Sequence, residues 1–202
     1  MKHAVLLLTL VFTYSLTVSA QEAQRLDAEA ARAALSVRPP RNPVKSSAPV
    51  VKRTYERRAG KGLGLETGAP QDVEVIHRSD GSTEEHPFVS LPILFTVNTD
   101  SLLDSTSRMN ADQMAAILAE LVRRENARFT IQGHTSAEGD AQPNQNLSDQ
   151  RAARIHALLI GKGVPATSLT PMGLGESCAS AAPTAPESQL QLDRRVLIVR
   201  MK

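Results

Sequence analysis

Between Phe129 and Leu159 the spacing of apolar residues switches from two to roughly 3.6. "ARFTIQG" alternates, with Phe129 and Ile131 on one side, as a half-buried strand does. Beyond a loop of small, polar and acidic residues, Ala152, Ile155, Leu158 and Leu159 form one helical stripe. Ser148 is expected to cap that helix, and Gly161 or Gly163 to end it. A strand feeding an amphipathic helix through a short loop leaves two apolar faces to bury. The stable solutions layer helix on sheet.

The same alternation recurs on both sides. "VSLPILFTV" reads as a strand, with Pro92 near its start. Asn110, followed three residues later by Gln113, predicts a helix cap. Met114, Ile117, Leu118, Leu121 and Val122 are that helix's stripe. "SLTPMGLG" is a short third strand and "RRVLIVRM" the last. The order β-α-β-α-β-β predicts an α+β two-layer sandwich, a mixed sheet with helices on one face, over residues 91–202. The chain has no Trp and few aromatics, so Leu, Ile and Val must fill the core.

The N-terminal part differs in kind. Residues 1–20 read as a signal peptide: Lys2 and His3, a short apolar run, and Val18-Ser19-Ala20 before a cut at Gln21. Gln at that point offers no lipoprotein acyl site. An exported, periplasmic product, associated with the outer membrane only through a partner, is expected. Residues 21–70 are expected to be a largely disordered linker, with a short Ala-rich helix before Pro39. Residues 71–90, with Val73 and Val75 alternating and Asp80-Gly81 as a turn signal, predict a β-hairpin leading into the domain.

Net charge is only +2, but it is unevenly placed. Residues 38–61 carry eight basic side chains and one acid, and residues 66–85 reverse the sign. Such a block pair suggests a solvated, extended region, with an outer-membrane protein or anionic lipid as a candidate partner. The lone cysteine, Cys178, excludes an internal disulfide and sits in a loop-like "GESCASAAP", as a tolerated free thiol. No nucleophile–base pair, motif-placed carboxylate pair or phosphate loop appears. No enzyme activity, cofactor, metal or nucleic-acid partner is expected. His134, alone at a strand end, is read as a hydrogen-bonded structural residue.

Arg151 is the residue that asks for an explanation. In the first turn of the expected helix, its charge opposes the helix dipole. Its direction lies about 40° from Ile155 and about 20° from Leu158, at the rim of the apolar stripe. A guanidinium so placed needs a carboxylate, because an unpaired buried charge is costly. Glu138, Asp140 and Asp193 are internal candidates, and a ligand carboxylate is the external one.

"ILFTVNTDSLL", "IQGHTSAEGD", "NQNLSDQRA" and "DRRVLIV", in this order and spacing, resemble the OmpA-like C-terminal peptidoglycan-binding domain. The resemblance runs from about Leu91 to the C-terminus and implies the fold just derived. It also implies non-covalent binding of peptidoglycan through the diaminopimelate of the stem peptide. In that family an Asp directly after Gly-His-Thr and the Arg of Leu-Ser-x-x-Arg-Ala contact the diaminopimelate. Arg151 is the matching arginine, while the Asp is Ser136 here. Glu138 and Asp140 are candidates to supply the missing charge, Thr135 and Asn144 to shape or face the ligand, and Arg195 to support from behind. Pro143 and Asp193 also depart from the family pattern. The alternative is an OmpA-like fold that has lost its ligand site and serves as a structural or protein-interaction module.

Overall fold

A computed structural model of the chain describes residues 23–39, 46–58, 71–96 and 98–201. The expected signal peptide lies outside the described residues.

Six strands form one mixed sheet. They are β1 (Val50–Arg58), β2 (Gln71–Arg78), β3 (Thr83–Leu91), β4 (Phe129–Gly133), β5 (Leu169–Gly173) and β6 (Val196–Arg200). Their spatial order is β1-β2-β3-β6-β4-β5, antiparallel throughout except for the parallel β4–β5 pair. The helices are α1 (Ala28–Ser36), α2 (Ser105–Glu125), α3 (Ala141–Gly161) and α4 (Glu187–Asp193). From β3 onward the order is β-α-β-α-β-β, with α4 added in the last connection. The β4–α3–β5 unit joins two parallel neighbours through a helix.

The α+β expectation holds because the two periodicities bury a common face. Phe129 and Ile131 of β4, Val196 and Ile198 of β6, and Leu91 of β3 meet Met114, Ile117 and Leu118 of α2 and Ile155 and Leu159 of α3 in one core. β6 lies between β3 and β4, and all five of its residues are buried.

Two helix starts fall earlier than the capping residues suggest. α2 begins after Asp104, whose side chain accepts from Ser107 N. Asn110 is instead buried inside α2, accepting from Leu26 N and donating to Gln24 O and Pro92 O. α3 begins after Asp140, placing Ser148 in its third turn. A Ser or Asn followed by a helical stripe is not a cap when the preceding polar residues also sustain the helix.

The linker expectation for residues 21–70 is corrected at two places. α1 packs Ala31 and Leu35 into the main core, with Asp27 accepting from Ala30 N as its cap. β1 pairs along its length with β2. Its charges hid it, since only Tyr55 turns toward an apolar cluster, with Phe88, Leu197 and Val199. The basic-then-acidic blocks are also explained, because much of the opposite charge meets across the ladders. Arg57 forks onto Asp72 at 2.8 and 3.2 Å, Arg58 reaches Glu85 at 2.7 Å, Arg53 pairs with Glu74, and Arg78 with Glu84. A contact between distant strands is invisible to a local reading of charge runs.

β1 also shows how the face opposite the helices is covered. Tyr55 Oη donates to Gln132 Oε1 of β4 at 3.0 Å, although β4 lies four places away in strand order. Its ring stands edge-on to Phe88, centroids 5.5 Å apart. The sheet therefore curls until its first strand covers the back of its fifth. Long sheets twist and coil in this way.

Candidate functional site

The site lies where β4 and the helix that follows it come close. Gly133 ends β4 directly under Ser148 of α3, and a Cβ there would collide with the Ser148 carbonyl. Gly173, at the end of β5, is equally tight against Ser148 and Asp149. Ser148 is itself a pin. Its hydroxyl donates to Gln145 O at 2.7 Å and accepts from Gly175 N at 2.9 Å. Gly173 N donates to Asp149 Oδ1 at 3.0 Å. These contacts fix α3 against the strand ends, so Arg151, less than a turn beyond Ser148, has a set position. Arg151 is the eleventh residue of α3. The conflict expected with the helix dipole is removed, because the dipole acts over the first and last turns.

Arg151 is only 7% exposed. Its Nε donates to Thr99 O at 3.1 Å, and the guanidinium carbon lies 4.9 Å from the centre of the Phe95 ring. Burial, then the neighbouring Arg194, lower its pKa, while Asp100 raises it. Among the described residues it makes no ion pair within 4 Å. The internal partners expected for it are occupied elsewhere. Asp193 accepts from the Ser180 and Ala181 amides, both at 2.9 Å, and Glu138 pairs with Arg194. Asp140 stands at the N-terminus of α3, without a side-chain capping bond.

Arg151 lines a cavity of about 460 Å³. Thr135, Ser136, Glu138 and Asn144 share it, with Phe95 and Leu94 from the β3–α2 loop and Glu187, Gln191 and Arg194 from the α4 region. Ser136 Oγ donates to Glu138 Oε2 at 3.2 Å and accepts from Arg194 Nε at 3.2 Å. Arg194 also bridges Glu138 and Glu187. The pKa of Glu187 is lowered chiefly by its hydrogen bond to Arg194. Asn144 Nδ2 donates to Glu138 O at 2.8 Å and also reaches Glu176, so it ties the loop down. Thr135 Oγ1 is buried and has no hydrogen-bond partner among the described residues. The cavity thus holds one cation without an acid, two acids clamped by a second cation, and hydroxyl and amide groups. That set suits a ligand end bearing both a carboxylate and an ammonium.

Two of the sequence candidates lie elsewhere. Asp140 lines an adjoining hollow of about 400 Å³, which shares Asn98, Glu138, Asn144 and Leu147 with the main cavity. Arg195 faces away from both. Its guanidinium lies over Tyr55 at 5.1 Å and touches Asp193 Oδ1 at 3.5 Å. Arg194 follows directly on α4 and Arg195 lies just before β6, and the two neighbours part company: Arg194 joins the cavity and Arg195 the Tyr55 side. Phe95, Thr99, Glu187 and Arg194 were missed as site residues. The signal for Phe95 and Thr99 lay in "ILFTVNTDSLL", but nothing local says that a backbone carbonyl there receives Arg151.

His134 corrects another expectation. It is buried, yet neither ring nitrogen has a hydrogen-bond partner among the described residues. It stands edge-on to Tyr55 at 5.5 Å. Burial, helped by Arg195 and Arg53, depresses its pKa to about 3. No group of three or more metal-ligating side chains occurs among the described residues.

Residues 94–191 match the model of the OmpA family. Outer membrane protein A of Serratia marcescens is 31% identical over 116 residues, covering 52% of this chain and 32% of the relative. Its counterpart from Shimwellia blattae is 33% identical over 115 residues, covering 57% of this chain and 47% of the relative. The chain therefore spans 32% and 47% of the length of these two relatives. Among solved structures, the peptidoglycan-associated lipoprotein of Burkholderia pseudomallei superposes with a TM-score of 0.48 at 22% identity, over 54% of this chain and 88% of that one. The periplasmic domain of Helicobacter pylori MotB gives 0.48 at 19% identity, over 57% and 81%.

Proposed function

We propose that this chain, whose residues 94–191 form an OmpA-family domain, is a binding module of the cell envelope that holds peptidoglycan non-covalently through the diaminopimelate of its stem peptide. The protein is exported and acts in the periplasm, and no helix among the described residues is long and apolar enough to cross a membrane. The observation that carries the reading is Arg151: a nearly buried guanidinium on the wall of a cavity, with no carboxylate partner among the described residues. Its planar fork is suited to a carboxylate. The ligand's ammonium goes to the Ser136 hydroxyl and to Glu138, with Arg194 yielding part of its hold. Thr135 and Asn144 complete the wall. The role is binding, not catalysis.

The test is co-sedimentation with isolated sacculi. Wild type pellets, and Arg151→Ala stays in the supernatant. Equal pelleting of the two removes Arg151 from the account. A soluble muropeptide ending in diaminopimelate binds more tightly than one with lysine, which keeps the ammonium but lacks the carboxylate. Equal affinities would reject the fork-to-carboxylate contact.

One observation favours a second reading, a fold that has lost its ligand. Ser136 brings no charge, and Glu138 is already held by Arg194. On that reading the purified protein ignores sacculi altogether.

A further inference from the structure

The two edges of the sheet are not alike. β5 is five residues long and carries Pro171 at its centre, a residue that cannot donate to an added strand. β1 is nine residues long, contains no proline, and pairs with β2 on one side only among the described residues. The curl of the sheet brings this free strand near the turn that follows β5. A groove of about 560 Å³ lies between them, lined by residues 50–55 of β1, by Leu174 and residues 177–180, and by Arg195.

Three features give the groove a chemistry. No carboxylate lines it, while Lys52, Arg53 and Arg195 do. Arg53 is engaged by the buried Glu74, while Arg195 lies over the Tyr55 ring and meets Asp193 only at 3.4 and 3.5 Å, through its carbonyl and carboxylate oxygens. Lys52 has no ion pair among the described residues. At one end Val50 and Val51 are 41% and 63% exposed, an apolar mouth on an otherwise charged strand. Lysine on an edge strand ordinarily discourages pairing with other chains. It does so selectively, because a strand of opposite charge gains what a neutral or basic one loses.

We propose that the β1 edge is a docking groove for an extended acidic segment of a partner protein, which adds to the sheet as a seventh strand. Main-chain hydrogen bonds to β1 supply the affinity, as in other strand-addition complexes. Lys52 and Arg195 select acidic side chains, and Val50 and Val51 cover an apolar residue near one end. The groove lies apart from the cavity of Arg151, with which it shares no lining residue. The two binding events are therefore separable.

The experiment uses the mature chain and a fluorescein-labelled octapeptide of alternating Glu and Val, read by anisotropy and by hydrogen exchange. The peptide binds and slows amide exchange within residues 50–58. A Lys–Val peptide does not bind, and an acidic peptide interrupted by proline binds at least tenfold more weakly. Lys52→Glu weakens binding at least tenfold, and Val51→Glu does so independently; both positions are exposed, and circular dichroism checks that the fold is kept. Both variants pellet with sacculi like wild type. Equal affinity of Lys52→Glu and wild type, equal binding of the basic peptide, or exchange unchanged within residues 50–58 would each overturn the proposal. So would protection of β1 that rises with protein concentration and is not displaced by peptide, since the occupant would then be a second copy of this chain.

Discussion

Ser136 is where this site departs most from the pattern its sequence resembles. A hydroxyl accepts from an ammonium without charge, and charge-assisted hydrogen bonds are roughly twice as strong as neutral ones. Ser136→Asp is therefore expected to tighten muropeptide binding by about tenfold, measured by titration calorimetry. Unchanged or weaker binding would mean that Arg194 captures the new carboxylate before the ligand can. His134 allows a prediction of a different kind. Its folded pKa, about 3, lies below the ordinary histidine value. Between about pH 6.5 and 3 the unfolded chain holds a proton that the folded one lacks, so stability falls with pH by up to about 1.4 kcal/mol per unit. His134→Phe keeps a ring against Tyr55 and removes the titration. Urea unfolding at pH 7.5 and 5.0 should show a shallower loss for the variant. Parallel losses would show that His134 finds a proton acceptor when charged. The sequence placed His134, Ser136 and Arg151 near one strand end, but not the protein groups that each touches. The Thr99 carbonyl that Arg151 meets and the Tyr55 ring against His134 lie far off in the chain.

At the level of elements, the motif residues earn their spacing by packing. Gly133 and Ser148 are read as parts of a ligand signature, yet in the structure they are the contact between β4 and α3. Gly133→Ala puts a methyl group into the Ser148 carbonyl, where backbone has to move. The expected cost is about 1–3 kcal/mol by denaturant unfolding, typical of overpacking, together with weaker ligand binding because Arg151 moves with α3. A variant with native stability and affinity would show that α3 can retreat without consequence. The strand and helix types from β3 to β6 were legible because their apolar periods are strong. The starts of α2 and α3 were not, since Asn110 and Ser148 imitate caps while making tertiary hydrogen bonds.

Across the whole molecule, the described part of the N-terminal region belongs to the folded unit. Leu35 of α1 is fully buried in the main core, and Arg200 at the end of β6 donates to Leu35 O at 2.6 Å and to Glu125 at 2.8 Å. Leu35→Ala is expected to cost about 2–5 kcal/mol, the range for a buried leucine, in a single unfolding transition. A loss below about 1 kcal/mol would return α1 to the status of a surface strap. By itself the sequence determined the α+β order, the core stripes and the presence of an arginine that needs a counter-charge. These follow from periodicity and from the cost of burying charge, which are local properties. Only the tertiary structure decided that β1 closes the back of the sheet, that the basic and acidic blocks neutralise each other across its ladders, and that Arg151 faces a cavity instead of its own acids. Those outcomes depend on which distant segments meet, and the curl of a six-stranded sheet sets that, not any spacing along the chain.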